Sequence, residues 1–258
     1  MSFKYVILSV LLASCVCGKS IGQISENKRF VQWMVNDPVS FLKDFGKQEL
    51  LGVGLTGVTA YSLTYVDKNN SQNFQNTFGT SSFLNGINEV GDPVYASSFA
   101  LAVFGTSLLT DNTKFQNAAF TSFQTVLYNH ITVGALKFTF SRARPFDNEG
   151  VRDFDFFEST HTSFPSGHTS TAFALVTPWV MYYKHPATYT LYAIPAAVGI
   201  GRVSQGKHWL SDVTTAAIIG TYWGYYLSKK HLNLESQSID VSPMTFGKGG
   251  GIRLNIRF

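Results

Sequence analysis

His208 and Asp212 stand four residues apart, one helical turn, so a carboxylate can meet an imidazole on one helix face. A carboxylate on one ring nitrogen leaves the other nitrogen free to attack an electrophile. The run Gly201-Arg202-Val203-Ser204-Gln205-Gly206-Lys207 leads into this pair, and Gly206 lets the chain turn and return Arg202 toward His208. Upstream, Ser163-Phe164-Pro165-Ser166-Gly167-His168 comes just before an apolar helical run. Ser166 and Gly167 therefore sit at a helix N-terminus, where unpaired N–H groups and the helix dipole favour an anion. His168, in the first turn, would lie against that anion. Lys137 and Arg144 are seven apart, two helical turns, which projects two cations from one face, and Pro145 marks the end of that helix. Singly, each cluster has a bland reading: aligned surface cations, an ordinary cap with an incidental histidine, a surface His–Asp pair. Occurring together in one chain they are not plausibly accidental.

The order and spacing of the three clusters resembles the type 2 phosphatidic acid phosphatase and vanadium haloperoxidase superfamily. Its signatures are Lys-x6-Arg-Pro, Pro-Ser-Gly-His and Ser-Arg-x5-His-x3-Asp. The matching positions are Lys137, Arg144, Pro145, Pro165, Ser166, Gly167, His168, Arg202, His208 and Asp212. One position departs: Gly201 stands where the family usually has serine. The resemblance implies a phosphoric ester hydrolase in which His208 is the nucleophile and forms a phosphohistidine. It makes Asp212 the group that orients the ring and His168 the acid that protonates the leaving alkoxide, then the base that activates water. Lys137, Arg144 and Arg202, with Ser166 and the Gly167 N–H as neutral donors, would cradle the five-coordinate phosphoryl transition state. Three fixed cations then stand where many phosphatases use a metal, so neither a metal nor any other cofactor is expected. His161 is read as a loop histidine, Trp209 as core, and His130, His185 and His231 carry no functional expectation.

The elements that must hold these residues are legible as six uncharged runs, 50–66, 93–110, 115–136, 169–183, 185–201 and 213–228. Each suits one helix. Most are short for a membrane span and are interrupted by Gly, Ser, Thr, Asn or Gln. The expected fold is all-α, a six-helix bundle core of the phosphatidic acid phosphatase and haloperoxidase type with a short C-terminal β-hairpin. Residues 19–36 read as a polar lead-in, and Asp37-Pro38 as N-cap and first residue of a short helix. Residues 67–92 and 146–164 read as long loops, the second acidic and aromatic. In the tail, Ile252, Leu254, Ile256 and Phe258 alternate with polar residues as a half-buried strand. Gly247 to Gly251 would be the turn and 239–246 the partner, packed on the helices. The expected segments are thus 1–18, 19–49, the helical core 50–230, and the tail 231–258.

Composition narrows the class. Of 258 residues, 45% are hydrophobic and 15% aromatic, which excludes disorder. Only 14% are charged, against about 25% in average proteins. The net charge of +4 includes no Lys/Arg run longer than Lys229-Lys230, so nucleic acid is not an expected partner. Lys4, the apolar stretch Tyr5–Leu12 and the small residues to Gly18 read as a signal peptide. Leu12-Ala13-Ser14-Cys15 also resembles a lipoprotein processing site, which would leave Cys15 lipidated. Both cysteines, Cys15 and Cys17, fall in this segment, so the rest of the chain has no disulfide. The expectation is a cell-envelope enzyme, periplasmic or membrane-associated, whose helices do not cross the bilayer. Its partners would be a membrane surface and a phosphorylated lipid or small phosphoester. The competing activities are a soluble non-specific acid phosphatase, a vanadium-dependent haloperoxidase, which the short chain disfavours, and a non-catalytic anion- or lipid-binding protein.

Overall fold

The computed structural model describes residues 21–147, 149–232, 239–246 and 249–256. The expected signal peptide, 1–18, and with it Cys15, lies outside the described residues. Eight helices of six residues or more follow one another: α1 (Ile21–Asp44), α2 (Lys47–Phe78), α3 (Ser82–Ile87), α4 (Pro93–Ser107), α5 (Thr113–Phe140), α6 (Gly167–Tyr182), α7 (Ala193–Ser204) and α8 (Leu210–His231). A single helical turn, Pro186–Tyr189, leads into α7.

α8 packs along α6, and α5 lies against both. The α6–α8 seam is close because α8 carries Gly220 and Gly224 one turn apart. A Cβ at Gly220 would fall 2.2 Å from the Ser170 carbonyl oxygen, and one at Gly224 would fall 2.5 Å from Thr177 Cβ. Small residues also let α4 approach: Ala96 and Ala100 meet Val126 and Ala174 with Leu175 and Phe123 beside them. α1 is held by aromatics, with Phe30 against Phe104 and Phe120 at centroid separations of 5.1 and 4.8 Å.

The fold expected from the sequence needs correction. Among the described residues the bundle has eight helices of six residues or more, not six helices, because two stretches read as non-helical are helical. α1 runs through Pro38, so Asp37 is not an N-cap. Its carboxylate instead accepts hydrogen bonds from Gln124 Nε2 at 2.9 Å and pairs with His231 Nε2 at 2.8 Å, while Trp33 stacks on the imidazole at 3.9 Å. This buried contact outweighs the local start signal. The stretch 67–92 is mostly the second half of α2 and all of α3. Its polar residues suggest a loop, yet Asp67 and Ser71 are buried. The second correction is the hairpin: it is no part of the fold that holds the site. Ile239–Phe246 and Gly249–Ile256 run antiparallel to each other. The buried apolar cluster at the centre of the bundle lies on α4, α5 and α6, and among the described residues neither strand has extensive contact with a helix.

Large apolar side chains remain exposed on the outer helices. Val31, Val35, Val39 and Leu42 do so along α1, and Leu50, Val53, Leu55 and Val58 along the start of α2. Even so, no helix among the described residues is long and apolar enough to cross a membrane.

Candidate active site

The first cluster leaves α5 at its C-terminus. Lys137 is in the last turn, and Ser141, at φ 34°, ends the helix in the left-handed region. Arg144 therefore lies beyond the helix, and a shared helix face does not explain why it meets Lys137. The loop 145–166 does. The Thr162 carbonyl oxygen accepts from Lys137 Nζ, and its hydroxyl oxygen accepts from Arg144 Nη2 at 3.0 Å.

The second cluster opens α6. Ser166 is the N-cap residue, but its hydroxyl bonds Thr169 Oγ1 at 3.0 Å rather than a backbone N–H. A helix start leaves its first N–H groups without intrahelical partners, and here they lie beside the first cluster. A Cβ on Gly167 would lie 3.8 Å from Lys137 Cε. His168 Nε2 faces Asp92, the N-cap of α4, at 3.9 Å.

The third cluster joins α7 to α8. Gly206 has φ +65°, and the turn lets the His208 N–H reach the Arg202 carbonyl at 3.3 Å. His208 is buried, and its Nδ1 lies 2.8 Å from the Ser163 carbonyl oxygen. A carbonyl only accepts, so Nδ1 carries the proton and the Nε2 lone pair is free. The Asp212 carboxylate is 3.7 Å from Nδ1, behind that bond. Asp212 accepts from Ser163 Oγ at 2.6 Å, the Trp209 N–H at 2.9 Å and Arg142 Nη1 at 2.5 Å. Its backbone carbonyl accepts the Ser166 N–H at 3.2 Å, locking the third cluster to the second.

Electrostatics mark the centre of the arrangement. Burial pushes Lys137 down to about 8, helped by the charges of Arg144 and Arg202. Arg202 is pushed down to about 10 by burial and then by Arg144, and Arg144 is lowered by burial. Arg202 Nε is buried with no hydrogen-bond partner among the described residues. His168 falls to about 4, through burial and then the three cations, against the opposing pull of Asp92. His208 falls to about 3, chiefly by burial. Burial would raise Asp212, but the Arg142 charge, the adjacent His208 ring and the hydrogen bond from Ser163 hold it at about 2. The site is thus a concentration of positive charge beside a neutral imidazole.

All eight residues singled out from the sequence, Lys137, Arg144, Ser166, Gly167, His168, Arg202, His208 and Asp212, fall in this one region. Sequence reading missed Arg142, Asp67, Ser163 and Thr162. Arg142 sits inside the Lys137–Arg144 spacer, where nothing in the residue string separates a buried arginine from an exposed one. Gly201, the departure from the expected serine, is also explained: a Cβ there would lie 2.9 Å from Asn88 Oδ1 and 3.0 Å from the Leu84 carbonyl oxygen. The end of α3 and the turn after it fill the space a side chain would need. His161, read as a loop histidine, sits within 3.5 Å of Asp147, Glu149 and Asp155. Among the described residues no group of metal-ligating side chains is assembled to hold an ion.

The sequence model of the PAP2 superfamily matches residues 95–235, more than half of the chain. A lipid A 1-phosphatase of Porphyromonas gingivalis is 34% identical over 102 residues, 37% of this chain and 20% of that protein. A lipid A 1-phosphatase of Rhizobium johnstonii is 32% identical over 107 residues, 39% of this chain and 43% of that protein. The matches thus span less than half the length of either curated relative. Among solved structures, a transmembrane PAP2-type phosphatidylglycerolphosphate phosphatase from Bacillus subtilis superposes with a TM-score of 0.51 at 15% identity, covering 78% of this chain and 98% of that one. Aquifex aeolicus LpxE superposes at 0.49 with 20% identity, over 64% and 95% of the two chains.

Proposed function

The chain belongs to the PAP2 superfamily, and from that premise we propose that it is a phosphatase acting on phosphorylated lipids through a phosphohistidine. The observation that carries this reading is the convergence of Lys137, Arg144 and Arg202 beside a neutral, buried His208. Beyond burial, Arg144 lowers the pKa of both Lys137 and Arg202, and Arg202 lowers that of Lys137, an excess of charge that a bound phosphoryl group relieves.

In the first step the His208 Nε2 lone pair forms a bond to phosphorus while the ester P–O bond breaks. The leaving alkoxide takes its proton from His168. The three cations, with Ser166 and the N–H groups at the start of α6, receive the charge that builds on the phosphoryl oxygens. In the second step His168 takes a proton from water, the water oxygen bonds to phosphorus, the P–N bond breaks and phosphate leaves. His168 has a low pKa in the empty site because cations surround it. A phosphate dianion offsets those cations and raises it toward the range an acid needs. The cationic cradle supplies the charge for which other phosphatases use a metal, so the reaction proceeds without one.

Two observations favour a lipid substrate over a soluble ester. The two curated relatives described above are named as lipid A 1-phosphatases. Several helices also carry exposed apolar faces suited to a membrane surface. Export by the segment 1–18 to the cell envelope fits the same substrate.

The test is phosphate release from lipid A 1-phosphate, phosphatidate, a prenyl diphosphate and a soluble aryl phosphate, with and without chelator. A lipid should be preferred, chelator should leave the rate unchanged, and His208→Ala should abolish both turnover and an acid-labile phosphoenzyme. Full activity in His208→Ala would overturn the mechanism, and preference for the soluble ester would overturn the substrate class.

A further inference from the structure

Beneath the nucleophile, Asp212 is tied to a buried arginine and a second carboxylate, neither of which the motifs or the proposed chemistry requires. Arg142 is 1% exposed, and Asp67 and Asp212 are fully buried. All five guanidinium donors are used. Nε and Nη2 reach the Val151 carbonyl at 3.0 and 2.6 Å, Nη2 also reaches Asp67 Oδ2 at 2.9 Å, and Nη1 reaches Ser211 Oγ at 2.7 Å and Asp212 Oδ1 at 2.5 Å. Asp67 in turn accepts the Ser211 N–H at 2.9 Å and the Ser211 hydroxyl at 2.5 Å. It comes from the middle of α2, 145 residues before Asp212 in the chain, in a stretch outside the residues matched to the family.

Burying three charges is costly unless they are paired and hydrogen-bonded, as these are. Their count leaves a net charge. Arg142 and Asp212 alone would sum to zero, and Asp212 would be neutralised by the arginine. Asp67 adds a second carboxylate, so the group as a whole keeps one negative charge. That charge lies next to His208, which is neutral when free and becomes cationic when its Nε2 carries a phosphoryl group while Nδ1 keeps its proton. We infer that Asp67 is a positioning residue for the hydrolysis: by matching the charge of Arg142 it leaves the charge of Asp212 available to the phosphorylated, cationic His208.

The inference rests on His208 being the nucleophile, and the experiment separates the two claims. Asp67→Asn keeps the shape and the acceptor for the Ser211 N–H but removes the charge. It should lower kcat by about 10- to 100-fold, with KM changed less than about threefold and less phosphoenzyme trapped at steady state. Adding Arg142→Gln to Asp67→Asn returns the net charge to minus one and should recover most of the lost rate. A purely structural pair would instead make the double variant as slow as the single one or slower. Ser211→Ala, which breaks the hydroxyl tether and leaves every charge in place, should stay within about threefold of the parent. Wild-type kcat in Asp67→Asn, no recovery in the double variant, or a Ser211→Ala defect equal to that of Asp67→Asn would each overturn the role of Asp67. An active His208→Ala would instead overturn the underlying mechanism. Should Asp67→Asn fail to fold, the double variant is compared with the parent: kcat within about threefold supports the role, and a loss of about tenfold or more overturns it.

Discussion

At the scale of single residues, both imidazoles of the empty site are held neutral. His168 and His208 have pKa values of about 4 and about 3, below the usual histidine value of about 6.5. For such groups the sign is fixed. Between about pH 6.5 and the folded pKa, the unfolded chain binds a proton that the folded chain does not. Stability is therefore highest above about pH 6.5 and falls as pH drops toward 4. For the fully buried His208 the slope approaches about 1.4 kcal/mol per pH unit. Thermal unfolding between pH 7 and 4 should show this decline, and His208→Gln should make it shallower; an unchanged slope would contradict the neutral assignment. His208 is also held differently from the His–Asp pairing read in the sequence. The direct partner of its ring is the Ser163 carbonyl, and Asp212 acts one layer behind, through Ser163 Oγ and the Trp209 N–H. An i, i+4 spacing brings two side chains near each other but does not say which neighbour takes the hydrogen bond.

At the scale of elements, the seam between α6 and α8 sets the distance between the second and third clusters. Gly167 and His168 are at the N-terminus of α6, and Asp212 is in the first turn of α8. Gly220 permits that closeness. Gly220→Ala improves intrinsic helix propensity by about 1 kcal/mol. Its new methyl, however, would lie 2.2 Å from the Ser170 carbonyl oxygen and 2.9 Å from the Ala174 nitrogen, both backbone atoms that cannot yield locally. The net effect should be a loss of about 1–3 kcal/mol in urea unfolding, together with reduced turnover as the helices part. A neutral or stabilised variant would show that the seam is looser than described. The helices themselves were largely legible, because the runs 93–110, 115–136, 169–183 and 213–228 coincide with α4, α5, α6 and α8 to within a few residues. The second half of α2 was not, since its Asn, Ser and Gln residues resemble a loop until the buried partners of Asp67 are known.

At the scale of the whole molecule, the exposed apolar side chains of α1 and α2 stand on helices that do not qualify as membrane spans. The reading proposed above, peripheral binding to a bilayer with Cys15 as a lipid anchor, would reconcile the two facts. In fractionated cells the protein should leave the membrane after a carbonate wash when Cys15→Ala is introduced, and the parent should be retained more strongly. Retention of the Cys15→Ala protein after that wash would mean that helices cross the bilayer.

The sequence by itself determined the family, the eight residues of the candidate site and four helices of the bundle, because motif spacing and apolar periodicity are local properties written in residue order. Only the tertiary structure decided the rest. Whether Asp37 caps a helix or pairs with His231, whether Arg142 faces water or two carboxylates, and whether Gly201 could be a serine all depend on what another segment brings to within about 4 Å. Asp67 reaches Asp212 only through the packing of α2 on α8, and no pattern along the chain encodes that meeting.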